Sequence, residues 1–250
     1  MTPMARRRQL TATIAGRTDS GRERDHNEDA IAWDAPTGIA VLADGMGGHN
    51  AGEVASRLAV DSIMDVLRDA PRPCPVLDAI QQANALIHAE AHKRPNHAGM
   101  GTTVAIACLE ADTVTIAHVG DSRVYRLRGE ELEQLTSDHS MVQELVDSGF
   151  LSAEDAAASI NRNIITRALG TEAMVQGTKT RVEAAAGDLF VLCSDGLSDP
   201  LPPAEIARLC RANDDLERTA TALVDAANAA GGRDNVSVIL MRLGTPPPAA

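Results

Sequence analysis

Residues 102–127 read Thr102-Thr-Val-Ala-Ile-Ala-Cys-Leu109, Glu110-Ala-Asp112, Thr113-Val-Thr-Ile-Ala-His-Val119, Gly120-Asp-Ser122, Arg123-Val-Tyr-Arg-Leu127. Apolar and β-branched runs of strand length alternate here with turns too short to hold a crossover helix. A further short run at 132–135 follows the turn Arg128-Gly-Glu130. The reading is an antiparallel meander of four strands. Working outward, strand-like runs precede it at 9–17, 29–33 and 39–43, and others follow at 176–182, 188–193 and 236–242.

Helical periodicity separates these strand groups. Val54, Leu58, Ile63 and Val66 form one apolar stripe, and a second helix is expected over 76–92, after the break Pro71-Arg-Pro-Cys-Pro75. A second hairpin of helices is expected over 204–211 and 216–229, entered at Pro202-Pro203 and left at Gly231-Gly232. Residues 138–168 are more polar, with short helical pieces interrupted at Gly149 and at Asn161-Arg-Asn163, and read as a lid or flap. Strand groups separated by paired helices, without βαβ alternation, predict an α+β fold. Its form is a four-layer α-β-β-α sandwich, two antiparallel sheets each covered by a helical hairpin.

Composition bounds the function. The chain has 250 residues, enough to bury roughly 70–75% of its unfolded surface. With 44% hydrophobic and 23% charged residues it is an ordinary globular sequence. One Trp, one Tyr and two Phe leave no platform for stacking bases, and a net charge of −12 disfavours phosphate backbones. No nucleic-acid partner is expected. The cysteines Cys74, Cys108, Cys193 and Cys210 stand singly and read as buried thiols in a reducing compartment. Arg6-Arg-Arg8 precedes an apolar stretch too short for a secretory leader, and nothing approaches a membrane span. The expectation is a cytoplasmic protein, without membrane association.

The apolar strands end on acids. Ile39-Ala-Val-Leu-Ala43 stops at Asp44-Gly45, Val114-Thr-Ile-Ala-His-Val119 at Gly120-Asp121, and Leu189-Phe-Val-Leu-Cys-Ser194 at Asp195-Gly196. Asp234 stands just before the last strand, and Glu28-Asp29 before another. One Asp-Gly at a strand end is turn chemistry; four such sites suggest termini converging at one end of a sandwich. Two carboxylates about 4 Å apart repel by roughly 4 kcal/mol at an effective dielectric of 20, so protons or cations must offset the cluster. Oxygen ligands without His or Cys select a hard ion, Mg²⁺ or Mn²⁺. Two such ions with a shared water suggest hydrolysis of a phosphate ester.

The same residues carry a resemblance. Arg24-Asp-His-Asn27-Glu28-Asp29, Asp44-Gly45-Met-Gly-Gly-His49, Gly101-Thr102-Thr103, Gly120-Asp121-Ser122-Arg123, Ser194-Asp195-Gly196 and Asp234-Asn235 occur in the order of motifs of the type 2C metal-dependent serine/threonine protein phosphatases. The stretch from Arg162 to Gly170 resembles the flap of bacterial members. The resemblance implies a catalytic domain over 9–243 with a flap at about 138–168, between a disordered segment 1–8 and a Pro-rich tail 244–250. It implies hydrolysis of phosphoserine and phosphothreonine by direct attack of a metal-bridging water, in a monomer acting on phosphorylated proteins, among them a serine/threonine kinase and its substrates.

Roles follow residue by residue from that resemblance. Asp44 would bridge two tightly bound Mn²⁺ or Mg²⁺ ions, Gly45 would lend its carbonyl to one, and Asp195 and Asp234 would complete the other. Glu28 and Asp29 would act through bound water, and Asp121 with Asp195 would hold a third, weaker ion. Arg24 would take the substrate phosphate. The catalytic set is thus Arg24, Asp44 and Asp195. Some members carry a His after the Asp-Gly, as candidate acid for the leaving group; this chain has Met46, with His49 nearby.

Three rival readings are weaker. Gly45-Met-Gly47-Gly48-His-Asn50 lacks the last glycine of a dinucleotide loop, and no Walker lysine follows. Ser122 as a hydrolase nucleophile would have only His139 after it. A catalytically inactive phosphatase-like module that binds a phosphorylated or regulatory partner is the alternative of a different class.

Overall fold

Strands Ile39–Met46 and Val104–Glu110 are apolar over 39–43 and 104–109 because both of their faces are covered there. In the computed structural model the described residues are 10–48, 51–152, 155–156, 159, 161 and 163–246. The chain opens with β1 (Thr11–Asp19), β2 (Asp29–Asp34) and β3 (Ile39–Met46), then α1 (Ala51–Arg68) and α2 (Val76–Lys93). It continues with β4 (Gly101–Thr102), β5 (Val104–Glu110), β6 (Thr113–Val119), β7 (Arg123–Arg128) and β8 (Glu131–Gln134), and α3 (Met141–Asp147) follows. It closes with β9 (Thr178–Glu183), β10 (Leu189–Cys193), α4 (Asp195–Ser198), α5 (Pro203–Arg211), α6 (Leu216–Ala229) and β11 (Val236–Gly244).

These strands build two antiparallel sheets, β1-β11-β10-β7-β8 and β2-β3-β5-β6-β9, with β4 paired to β3. Alternate side chains of β3 go to opposite layers. Val41 and Ala43 pack with Ile63, Ile80 and Ile87 of α1 and α2, whereas Ala40 and Leu42 meet Phe190, Leu192 and Ile239 of the facing sheet. Val191 and Val238 point the other way, onto Ile206, Leu223 and Val224 of α5 and α6. The expected α-β-β-α sandwich is what forms. Each fully buried Leu or Ile contributes about 1.5–3 kcal/mol by leaving water, which is how a core poor in aromatics is held.

The expected meander is corrected. β5 pairs with β6 in one sheet, but β7 pairs with β10 and β8 in the other, so the chain changes sheets at 120–122. A three-residue link fits a hairpin or a crossing, and nothing in the link itself chooses between them. Gly120 decides the geometry: its φ is +96°, and a Cβ there would lie 2.6 Å from Thr103 Cγ2. The crossing lifts Asp121 to the mouth between the sheets.

The cysteine reading is corrected as well. Cys74, just ahead of α2, and Cys108 of β5 form a disulfide, while Cys193 and Cys210 are free and buried. The partners are 34 residues apart, so no spacing in the sequence signals a pairing that only the packing of the α2 entry on the sheet creates. The thiol argument for a reducing compartment falls with it.

The segment between β8 and β9, where the flap is expected, carries α3, whose N-cap Ser140 accepts from the Gln143 amide at 3.3 Å. A bridge between Ser140 and Ile165 brings its two arms together. The expectations placed on residues 1–8, His49, Arg162 and the end of the tail, 247–250, lie outside the described residues. Among the described residues, no helix is long and apolar enough to cross a membrane.

Candidate active site

Both sheets deliver acids to the same end of the sandwich. Asp29 opens β2 and is the register partner of Asp44, so their side chains stand side by side on one face. From the other sheet, Asp195 follows β10 as the first residue of α4, and Asp234 precedes β11. The backbone of Asp44 is clamped: its carbonyl accepts from Thr102 Oγ1 at 2.8 Å and from the Thr103 amide at 2.9 Å, and its amide donates to Thr103 Oγ1 at 3.0 Å. Gly45 follows because nothing larger fits. A Cβ there would lie 2.1 Å from the Gly52 carbonyl oxygen of α1 and 2.5 Å from that of Glu28.

A cleft of about 270 Å³ is lined by Arg24, Glu28, Asp44, Gly45, Asp121, Asp195 and Asp234. Of the residues assigned to catalysis or metal, all of them described, Asp29 alone does not line it. It lies behind, 8% exposed, with Oδ2 accepting from Ser194 Oγ at 2.9 Å and Oδ1 buried without a hydrogen-bond partner among the described residues. Arg24 Nη2 donates to Asp234 Oδ2 at 2.8 Å, with about half of the Arg24 side chain exposed. Asn235 ties the loops together, accepting from the Glu28 amide at 2.7 Å and donating to the carbonyls of Ser20 and His26.

Electrostatics set this cluster apart. Burial, reinforced by Asp195 and Asp234, pushes the Asp29 carboxyl up to about 7. Burial and then Asp195 and Asp138 bring Asp121 to about 7, and burial and then Asp234 and Asp199 bring Asp195 to about 6. Asp44 is raised well above the usual carboxylate range by burial and by Asp29, Asp195, Asp121 and Asp234. Glu28 rises through burial, partly offset by the Gly52 amide and Arg24. Such acids need protons or cations. An all-oxygen donor set with one orphaned buried carboxylate oxygen, Asp29 Oδ1, fits hard divalent ions.

Other side chains fall into place around them. Ser122 is 1% exposed, and its hydroxyl lies 2.7 Å from Thr103 Oγ1, behind Asp44. His139 does not face Ser122. Its Nδ1 accepts from the Gly120 amide at 3.1 Å, and its Nε2 lies 2.9 Å from Thr178 Oγ1. No serine–histidine pair exists there. Met46 lines the cleft, as do Thr103 and, from the insert, Asn163 and Ile165. Reading the sequence assigned no role to Thr103, Asn163, Ile165 or Ser194. Only a tertiary structure brings the insert over strand ends so distant in the chain.

The protein phosphatase 2C signature matches residues 18–240. The chain is 38% identical over 235 residues to the serine/threonine phosphatase stp of Listeria innocua serovar 6a, covering 90% of this chain and 93% of that one. It superposes on the serine/threonine phosphatase PstP/Ppp of Mycobacterium tuberculosis with a TM-score of 0.88 at 38% identity, covering 94% and 99% of the two chains. The PstP catalytic domain in complex with two manganese ions gives a TM-score of 0.86 at 37% identity, with the same coverage. With the ordered motifs folded into one acidic cleft and the match spanning nearly the whole chain, this protein belongs to the protein phosphatase 2C family.

Proposed function

We propose that the chain is a metal-dependent phosphatase hydrolysing phosphoserine and phosphothreonine in proteins, within a catalytic domain at 9–243 that carries a flap at about 138–168. The observation that carries this reading is the convergence of Asp44 and Asp195 from opposite sheets beside Arg24 and Asp234 in one cleft. Similar chains are named serine/threonine phosphatases. Those names favour an active enzyme over an inactive binding module, and all the acids an enzyme would need are present.

Asp44, the Gly45 carbonyl, Asp195 and Asp234 would hold two divalent ions, Mn²⁺ or Mg²⁺, with Glu28 and Asp29 acting through water and Asp121 with Asp195 serving a third. When bound, the ions neutralise the acids and supply an activated water for in-line attack on phosphorus. The chain's own residues do the rest. Arg24, half-exposed and held by Asp234, can turn its planar guanidinium to two phosphoryl oxygens while Asp234 keeps it aligned. Thr102 and Thr103 fix the backbone of Asp44, and Asn235 fixes the loops that carry Glu28 and His26. Met46, which lines the cleft, has no proton to give a leaving alkoxide, so that proton must come from another group or from bound water.

The partners under this reading are phosphorylated proteins, including a serine/threonine kinase and its substrates, met by a monomer. Phosphate release from a phosphothreonine peptide should require Mn²⁺ or Mg²⁺, stop with EDTA and return when metal is restored. A trapped covalent phosphoenzyme would overturn direct attack by water. Metal binding without turnover would establish the inactive module instead.

A further inference from the structure

Helix α2 is cut off from solvent along one face by small and aliphatic residues, Ala79, Ile80, Ala83 and Ile87. Asn84 lies among them, fully buried. An amide in such a place costs several kcal/mol unless its hydrogen bonds are met. They are met entirely by the arm through which the insert returns to the sheet. Asn84 Oδ1 accepts from the Gly170 amide at 2.8 Å, and Nδ2 donates to the carbonyls of Glu172 at 3.0 Å and Ala173 at 3.2 Å. His88, one turn later, donates from Nδ1 to the Gly170 carbonyl at 3.1 Å. Gly170 turns at φ +89° so close to the helix that a Cβ would lie 2.3 Å from Ile87 Cγ2.

The arm leads directly into the site. Leu169, the residue before this latch, exchanges two backbone hydrogen bonds with Thr102, at 3.1 and 2.8 Å. Thr102 Oγ1 in turn holds the Asp44 carbonyl at 2.8 Å. Upstream, the same arm carries Asn163 and Ile165 into the wall of the cleft that Asp44 and Asp121 also line. The helix packs without an amide at its other core positions, so the chemistry of residue 84 serves the arm.

We propose that Asn84 is a positioning residue: it fixes the return arm of the flap against α2, and with it the cleft wall along which a phosphopeptide lies. A small aryl phosphate reaches the acids without that wall. Asn84 therefore governs turnover of phosphopeptides more than turnover of small esters. The inference rests on the phosphatase reading above.

The test uses the full chain with Mn²⁺, comparing p-nitrophenyl phosphate with a phosphothreonine peptide and following hydrogen exchange over 169–173. In Asn84→Ala, kcat/KM for the peptide should fall by about 10-fold or more, the size of one or two lost hydrogen bonds, through KM more than kcat. The aryl ester should stay within about 3-fold, because Thr103 still holds Asp44 at both its carbonyl and its amide, and the Gly170 amide should lose its protection. Asn84→Asp sets a buried carboxylate against the carbonyls of Glu172 and Ala173 and should lower the peptide-to-ester ratio at least as far as Asn84→Ala. His88→Ala trims one bond from a half-buried side chain, and should shift the peptide-to-ester ratio the same way by about 2-fold. It keeps the question open to refutation if Asn84→Ala does not fold. An unchanged ratio in the folded variants, or equal losses on both substrates, overturns the inference and leaves the phosphatase reading intact. A wild-type chain that turns over neither substrate overturns both.

Discussion

Asp29 and Asp44 are register partners on neighbouring strands, and Ser194 from the opposite sheet donates to Asp29 at 2.9 Å. One pair of carboxylates thus sits where the two sheets meet. Their mutual repulsion and burial destabilise the site when no cation is present.

That has a pH signature. Asp29 and Asp121 are raised to about 7, Asp195 to about 6, and Asp44 also rises. With folded values above unfolded ones, the native chain binds more protons than the unfolded chain between about pH 4 and 7, so stability falls as pH rises through that window. His139, lowered to about 4 by burial and by His118 and Arg167, and His118, lowered by burial, act oppositely, losing stability as pH falls below about 6.5, but they are two groups against five raised acids, Glu28 among them. The metal-free protein should melt several degrees higher near pH 5 than near pH 7.5, and Mn²⁺ should raise Tm more at the higher pH. A flat or rising metal-free profile would refute this.

Neutralising one member of the pair separates stability from activity. Asp44→Asn should leave a folded protein whose metal-free Tm is equal to or above wild type, because roughly 4 kcal/mol of carboxylate repulsion at close approach is relieved. Calorimetry should show Mn²⁺ binding weakened by about 10-fold or more, and phosphate release should drop to background. Retained turnover would remove Asp44 from the site.

Arg24 spans the cleft rim to Asp234. Arg24→Ala should lower kcat/KM about 10²-fold, as expected for one charge-assisted contact worth about 3 kcal/mol, with metal affinity little changed. Arg24→Lys should recover part of the loss, since an ammonium keeps charge but not the bidentate fork. Steady-state kinetics at fixed Mn²⁺ measures both; an unaffected kcat/KM for Arg24→Ala would exclude it as the phosphate ligand.

Asp121 and Ser122 are neighbours with different surroundings. Asp121→Ala should lose much of its turnover while keeping tight metal binding at Asp44, Asp195 and Asp234. Ser122→Ala removes a buried hydroxyl behind Asp44 and should lower stability by about 1 kcal/mol with a small effect on kcat. Titrating kcat against Mn²⁺ for both variants decides the matter, and full activity in Asp121→Ala would end its accessory role.

The strands, the two helical hairpins and the acids at strand ends were legible in the sequence because each is written locally. Apolar runs, a helical period around Val54 and Ile63, and Asp-Gly steps need no distant partner to be recognised. Which sheet each strand joins was not legible: 120–122 could have closed a hairpin, and only packing of both faces of β6 and β7 sent them to different sheets. Cys74 and Cys108 gave no sign of pairing, and nothing in the sequence singled out Asn84. Their partners, Cys108 for the first and Gly170, Glu172 and Ala173 for the second, lie tens of residues away. Contacts of that range are made by tertiary folding, which brings together groups that no local pattern relates.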